Sequence, residues 1–479
     1  MRAEDRPDKP KESCGVFAVY GPDEDVSRLT YFGLYALQHR GQESAGIATT
    51  FGDAITCYKD MGLVNLVFTE KILRLLKGNV ALGHIRYSTT GSSVEANAQP
   101  IVAEGFRHVA VAHNGNLVNT NKLRCDMEEN GHVFKSTSDT EVIAEMIAQS
   151  TAPTLEEAVK ETLPKLKGAF SLGILSEGKL IGARDPHGNR PLCIGSLGDG
   201  KWVLSSETCA LSIIGAEFYR EIEAGEMAII SDGKVSAMRY AEPARKALCI
   251  FEFIYFARPD SIMMGRTLNT CRGNMGRSIA RQAPVPGDIV FCVPDSGSPA
   301  AIGYAAESGI PYDIGFVKNR YVGRTFIQPD QSMRELGIRM KLNPLGDNIK
   351  GKRVILVDDS IVRGTTSSKI VKMLYQQGAL EVHVRVSSPP IKHPCFYGID
   401  MATREELLAS SRSVEDIRKF IGCDSLEYLD IERLFEATGL DRSNFCAACF
   451  NADYPVPIPQ QLPLDKLLFE QNGRKNGKK

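Results

Sequence analysis

The stretch VILVDDSIVRGTT, residues 354–366, decides how the second half of this chain folds. Val354 to Val357 form an unbroken apolar run, which reads as a strand buried on both faces, the mark of a parallel sheet covered by helices. The acidic pair Asp358 and Asp359 then falls at the carboxyl end of that strand, where open α/β sheets bind their ligands. Gly364, Thr365 and Thr366 lead through a turn into a helix. A helix start offers free N–H groups and a positive dipole to a phosphate. Gly364 lets the backbone approach closely, and the two threonine hydroxyls add donors. The carboxylates suit sugar hydroxyls and, directly or through water, a Mg²⁺ ion. No GxxxxGK[ST] loop and no GxGxxG is present.

Outward from that motif the same alternation continues. DIVFCVP (288–294) predicts a strand followed by a helix near 298–308. RVILVDD is followed by a helix near 366–377, and VHVRVSS (382–388) predicts a further strand. VPDSGSPAA (293–301) ends its strand in a turn of small residues whose backbone N–H groups suit a pyrophosphate. Its Ser296 is a candidate to lie near the metal. KNRYVGRTFIQ (318–328) carries Lys318, Arg320 and Arg324 on a predicted mobile loop.

The first half reads differently. Residues 1–13 are charged, contain two prolines and show no periodicity, so they read as a leader. From Cys14 apolar strands recur: CGVFAVYG, VALGHI, VAVAHN, FSLGIL, KLIGAR and WVLSSE. Helices are predicted near 26–38 and 139–149, the second capped by Asp139. Strand-rich halves around helices imply a layered α+β unit. The predicted division is a leader at 1–13, a first domain at 14–245, a second at 246–455 and a polar tail at 456–479.

Removal of the leader would make Cys14 the first residue. Its α-amine, with a pKa of about 7.7–8.0, then takes the proton of the adjacent thiol, and the thiolate is the nucleophile. CGVFAVYG, QHRGQESAGI, GHIRYSTTG, HNGNLVN and STSDTEVI follow one another in that order over residues 14–143. Together they resemble the glutaminase domain of the N-terminal-nucleophile amidotransferases, which have an αββα fold. The resemblance implies that the Asn114 side-chain amide and the Gly115 N–H form an oxyanion hole. It implies that Arg86 grips the carboxylate of glutamine and Asp139 its α-ammonium group. Arg40 is implied to sit on a loop that closes over that site.

VILVDDSIVRGTT in turn resembles the phosphoribosyl pyrophosphate (PRPP) motif of the type I phosphoribosyltransferases, in which a loop such as 318–328 orders over PRPP. FEFIYFARPDS (251–261) fits the junction of the two halves. Over residues 14–455 the chain resembles the glutamine PRPP amidotransferases. The implied reaction is amination of PRPP by glutamine, giving 5-phosphoribosylamine, glutamate and pyrophosphate and opening purine synthesis. The same resemblance implies a homotetramer and feedback inhibition by purine nucleotides.

Cys446 and Cys449 form CAAC, and one CxxC pair needs two further thiols for a four-cysteine site. Cys249 (ALCIFEF) and Cys395 (HPCFYG) are the candidates. The residues alone fit zinc or an iron–sulfur cluster. The resemblance is to the branch of the family that has a leader and a structural 4Fe–4S cluster, and so implies the latter. Cys57, Cys125, Cys193, Cys209, Cys271, Cys292 and Cys423 read as small buried hydrophobes.

Composition narrows the function classes. A formal net charge of −1 argues against general nucleic-acid binding, which needs a positive field. No apolar run reaches the ~18–20 residues of a membrane helix, and the charged N-terminus is no secretory signal. Twelve cysteines without an export signal point to a reducing cytoplasm. Three rival readings are a different amidotransferase, a PRPP-sensing regulator with residual glutaminase activity, and an electron carrier. The PRPP motif, the full glutaminase set and the wide spacing of the four cysteines, respectively, speak against them.

Overall fold

A computed structural model of the chain describes residues 14–52, 54–87, 93–319, 342–399 and 404–458. Among these, the first half builds two antiparallel sheets. The seven-stranded sheet runs, in spatial order, Glu217–Glu221, Cys193–Gly198, Lys201–Ser205, Gly15–Tyr20, Val80–Arg86, Ser44–Phe51 and Ala54–Met61. The six-stranded sheet runs Lys234–Arg239, Glu226–Ser231, Lys179–Arg184, Gly168–Ser176, His108–Leu117 and Ile101–Glu104.

Strand alternation sends each residue set to one face. Val16, Ala18 and Leu82 of the first sheet meet Ala110, Leu175 and Ala228 of the second in a core between the sheets. Phe17, Val19 and Ile85 point the other way, onto the helix Val26–Ala36. Val111, Leu172 and Ile174 likewise pack on the helices Asp139–Ala148 and Leu155–Thr162. Helix, sheet, sheet and helix therefore stack in four layers. Each fully buried Val, Leu or Ile contributes about 1.5–3 kcal/mol, so the register of the central strands is tightly set.

The second half holds a parallel sheet in the order Ile289–Cys292, Arg353–Asp358, Glu381–Val386 and Ser425–Tyr428. Ile355 and Val357 face the helices Leu268–Gln282, Ser298–Ser308 and Ile431–Thr438. Val354 and Leu356 face Thr365–Gln376 and Val414–Ile421. Both faces of the 354–357 run are thus covered. A short parallel pair, Leu248–Cys249 with Phe445–Cys446, joins the start of this half to its end. Among the described residues no helix is long and apolar enough to cross a membrane.

Two expectations need correcting. The helix starting at Asp139 is capped by Ser138, whose side chain accepts from the Thr140 N–H, so Asp139 is its first helical residue and is freed for another task. Cys125 is exposed on the polar helix Thr120–Glu129 rather than buried, and Cys57 is only half-buried. Cys193, Cys209, Cys271, Cys292 and Cys423 are core residues.

Candidate active sites

Cys14 lies immediately before the strand Gly15–Tyr20 and is 7 % exposed. Its Sγ donates to the Tyr87 carbonyl at 3.5 Å. Burial pushes the thiol pKa up, the Arg86 charge opposes this, and Asp139 and Glu43 add to it. Arg86 ends the neighbouring strand Val80–Arg86 and is buried. The nucleophile candidate is therefore faced by the cation and the anion that the sequence singled out for a zwitterionic amino acid.

Asp139 is held from the side of the HNGN strand. Its Oδ2 accepts from the Leu117 N–H at 3.1 Å, and its Oδ1 lies 3.5 Å from His113 Nδ1. Burial works to raise its carboxyl, but His113, the Leu117 N–H and Arg86 outweigh it, so it stays below the usual carboxylate range. Asn114 is fully buried, and neither its Oδ1 nor its Nδ2 has a hydrogen-bond partner. A buried amide costs about 1–3 kcal/mol when unsatisfied, so this one is set to receive an external group. Gly115 has φ +149, and a side chain there would run into the Ala169 carbonyl.

Arg40 lies in the turn that follows the helix Val26–Ala36. It is completely buried, and its Nε donates to the Cys14 carbonyl at 3.1 Å. Its Nη atoms reach Glu207 Oε1 at 2.5 Å and Glu252 at 2.7 and 2.9 Å. A guanidinium bonded to two carboxylates in the core forms part of the wall behind Cys14. Sequence reasoning missed Glu207 and Glu252 because each is an isolated acid in an apolar or small-residue context.

In the second half Asp358 and Asp359 are 4 % and 1 % exposed at the end of the strand Arg353–Asp358. Asp358 Oδ1 accepts from the Asp359 N–H at 2.9 Å, and Asp359 Oδ1 from the Ser360 hydroxyl at 2.8 Å. Gly364 caps the helix Thr365–Gln376 with φ +71, and a Cβ there would come within 2.6 Å of Leu408. The 293–298 turn, which carries Ser296, lies beside this strand end, since the Val293 N–H donates to the Val357 carbonyl at 3.0 Å. Lys318 Nζ pairs with Asp295 Oδ2 at 2.6 Å, which ties the start of the basic segment to the same turn. Arg320 and Arg324, the leader and most of the tail lie outside the described residues.

The four candidate cluster cysteines come from three segments that meet. Cys249 and Cys446 are direct partners in the short parallel pair. The Cys449 carbonyl accepts from the Lys392 and His393 N–H groups at 2.9 and 3.0 Å, which brings the Cys395 segment alongside. Burial raises the thiols of Cys249, Cys446 and Cys449, and the neighbouring cysteines raise them further. Among the described residues they form no ready-made coordination shell. Three buried thiols and the half-buried Cys395, within each other's field, nonetheless offer the soft sulfur ligands that a zinc ion or iron–sulfur cluster takes.

The two sites abut. Asn116 Nδ2 donates to the Phe396 carbonyl at 2.9 Å, and Arg190 donates to the Tyr397 carbonyl at 2.8 and 3.1 Å. A Cβ on Gly398 would stand 2.7 Å from the Gly115 carbonyl carbon.

A glutamine amidotransferase domain family matches residues 84–212, and a phosphoribosyl transferase domain family matches residues 270–390. An amidophosphoribosyltransferase of Synechococcus elongatus is 54% identical over 472 residues, covering 97% of this chain and 96% of that protein. One from Bacillus subtilis is 49% identical, covering 95% and 96%. A solved structure described as the glutamine PRPP amidotransferase from B. subtilis complexed with ADP and GMP superposes with a TM-score of 0.89 at 48% identity, covering 95% of this chain and all of that one. The αββα half and the parallel-sheet half are accordingly an N-terminal-nucleophile glutaminase fold and a type I phosphoribosyltransferase fold. With identity of this order along almost its whole length, the chain belongs to the amidophosphoribosyltransferase family.

Proposed function

We propose that this chain carries the amide nitrogen of glutamine to C1 of PRPP through the residues described above, with release of pyrophosphate. The full-length likeness carries this reading, because it covers both halves rather than either alone. Once the leader before Cys14 is removed, the new α-amine takes the thiol proton and the sulfur attacks the glutamine carboxamide. Arg86 holds the substrate carboxylate and Asp139 its ammonium group. The unpartnered Asn114 amide and the Gly115 N–H receive the oxyanion. Ammonia leaves, and water cleaves the thioester to glutamate.

In the second half Asp358 and Asp359 hold the ribose hydroxyls, and Gly364, Thr365 and Thr366 the 5-phosphate. The 293–298 turn, with Lys318, Arg320 and Arg324, holds the pyrophosphate. Asp358, Asp359 and Ser296 would hold Mg²⁺, which when bound neutralises charge on the leaving group. Transfer inside the protein keeps ammonia from becoming ammonium in bulk water. Cys249, Cys395, Cys446 and Cys449 would hold a 4Fe–4S cluster that pins the end of the chain to the junction. The homotetramer and inhibition by purine nucleotides belong to the same proposal, the latter supported by the ADP- and GMP-bound relative. So does action in a reducing cytoplasm.

The test is pyrophosphate release from PRPP and Mg²⁺, with and without glutamine, on anaerobically purified protein. Glutamine-dependent release with matching glutamate supports the reading. Glutamate formation without PRPP turnover would overturn it in favour of a PRPP sensor with residual glutaminase activity.

A further inference from the structure

We infer that Glu252, a residue of the phosphoribosyltransferase half, is a positioning residue for the nucleophile of the glutaminase half, acting through Arg40. The inference rests on the reading of Cys14 as that nucleophile.

Cys14 stands one residue beyond the last pair of its strand, Gly15 with Ile85. Sheet hydrogen bonds therefore fix Gly15 and not Cys14. The Cys14 carbonyl is held by Arg40 Nε at 3.1 Å. Both groups that must react, the thiol and the α-amine, hang from the same Cα, so the orientation of that carbonyl sets theirs.

Arg40 is in turn fixed by carboxylates. Glu252 grips it with two bonds, Nη1 to Oε2 at 2.9 Å and Nη2 to Oε1 at 2.7 Å, a fork-to-fork arrangement that allows one orientation of the guanidinium plane. Glu207 takes a third bond, and its neighbour Ser206 clamps the Val16 backbone through both its hydroxyl and its N–H. Arg190 Nη1 lies 3.5 Å from Glu252 Oε1, so two arginines and two glutamates balance in a region closed to water.

The two glutamates differ in origin. Glu207 lies in the same half as Cys14, and it is also bound by His39, the Arg258 N–H and the Ser261 hydroxyl. Glu252 begins the turn Glu252–Phe256 in the other half. That turn is pinned by Arg272 of the helix Leu268–Gln282, which donates to the carbonyls of Phe253 at 2.9 Å and Ala257 at 2.6 Å. Arg272 also feels the charge of Asp359 in the PRPP motif. A run of buried hydrogen bonds thus leads from Arg272 of that half through Glu252 and Arg40 to the Cys14 carbonyl.

The experiment uses full-length, leader-processed protein as wild type, E252Q and E252D. Three rates are measured: glutamate formation, pyrophosphate release with glutamine, and pyrophosphate release with ammonium salt. In E252Q we expect kcat for glutamate formation to fall about 100-fold, the effect of a displacement near 1 Å. We expect the KM for glutamine to stay within about threefold and ammonia-dependent release to stay within about twofold. E252D, which keeps the charge but retracts it, should fall between E252Q and wild type. Undiminished glutamate formation in E252Q would overturn the inference. Parallel loss of glutamine- and ammonia-dependent rates would also overturn it, since it would mean that Glu252 merely holds the fold. Loss of coupled release with intact glutamate formation would overturn it too, as a leak of ammonia. A wild-type protein without glutamine-dependent release would instead overturn the function on which the inference rests.

Discussion

Gly115 and Gly398 meet backbone to backbone across the boundary between the two halves, with room for no side chain on either. Gly115 supplies one of the two groups assigned to the oxyanion, so the contact ties the geometry of one site to a segment of the other half. Gly398→Ala would bring a methyl group within 2.7 Å of the Gly115 carbonyl carbon and strain a backbone at φ +94. Overpacking of this kind costs about 1–3 kcal/mol. The expected result is a lower urea midpoint and glutamate formation reduced more than ammonia-dependent pyrophosphate release.

Cys14→Ala removes the sulfur but none of the residues around the acidic pair. Glutamate formation should fall by at least about 1,000-fold, while pyrophosphate release driven by ammonium salt persists. Parallel rate measurements on one preparation check this, and unchanged glutamine turnover would refute the assignment of the nucleophile.

Asp359→Asn reverses that pattern. Its carboxylate is buried at the strand end, so loss of the charge should lower pyrophosphate release from PRPP by about 100-fold or more with either nitrogen source. Glutamate formation at saturating glutamine should survive. Equal loss of both would place Asp359 in the fold and not in the PRPP site.

His84 is buried, with its pKa pushed down to about 3 chiefly by burial, against an ordinary value of 6.5. The folded protein keeps it neutral where the unfolded chain protonates it. Stability should therefore fall as pH drops from 6.5 toward 3, and level off below that as far as this group is concerned. One proton costs about 1.4 kcal/mol per pH unit, so roughly 2 kcal/mol is lost at pH 5. Comparison of the urea midpoints of wild type and His84→Asn at pH 7.5 and 5 should show the variant lacking this share.

Protein purified without oxygen should be brown, with about four iron atoms and four acid-labile sulfides per chain. Cys446→Ser should lose both and unfold at lower urea. A colourless, fully active protein carrying zinc would replace the cluster with a zinc site.

Much of this was legible in the sequence because the informative residues are local. The run Val354–Val357 and the pair Asp358–Asp359 give strand, strand end and ligand edge within six residues. The strands around Val80–Arg86 and His108–Leu117 show in their apolar runs, and the motif order points to Cys14, Arg86, Asn114 and Asp139. The helix Leu268–Gln282 was not legible. Its glycines at 273 and 276 lower helix propensity, yet they let it press against the helix Ser298–Ser308, where a Cβ on Gly276 would strike Ala300. The strand Ser425–Tyr428 is short and partly polar, and only its neighbour Glu381–Val386 gives it a place. The surroundings of Arg40 were hidden for another reason. Arg40, Glu207 and Glu252 are far apart in the chain, and no spacing rule links an arginine after one helix to acids in two distant segments.

The short pair Leu248–Cys249 with Phe445–Cys446 has a consequence for how the molecule is made. The acceptors for Asn116 and Arg190, the carbonyls of Phe396 and Tyr397, also belong to late segments of the chain. During synthesis the first half emerges with its sheets ready to collapse, but the junction beside its first site stays incomplete until the ribosome has passed residue 446. Assembly of the first site is thus timed by delivery of the last segment, and an unfinished chain holds a nucleophile without its finished surroundings.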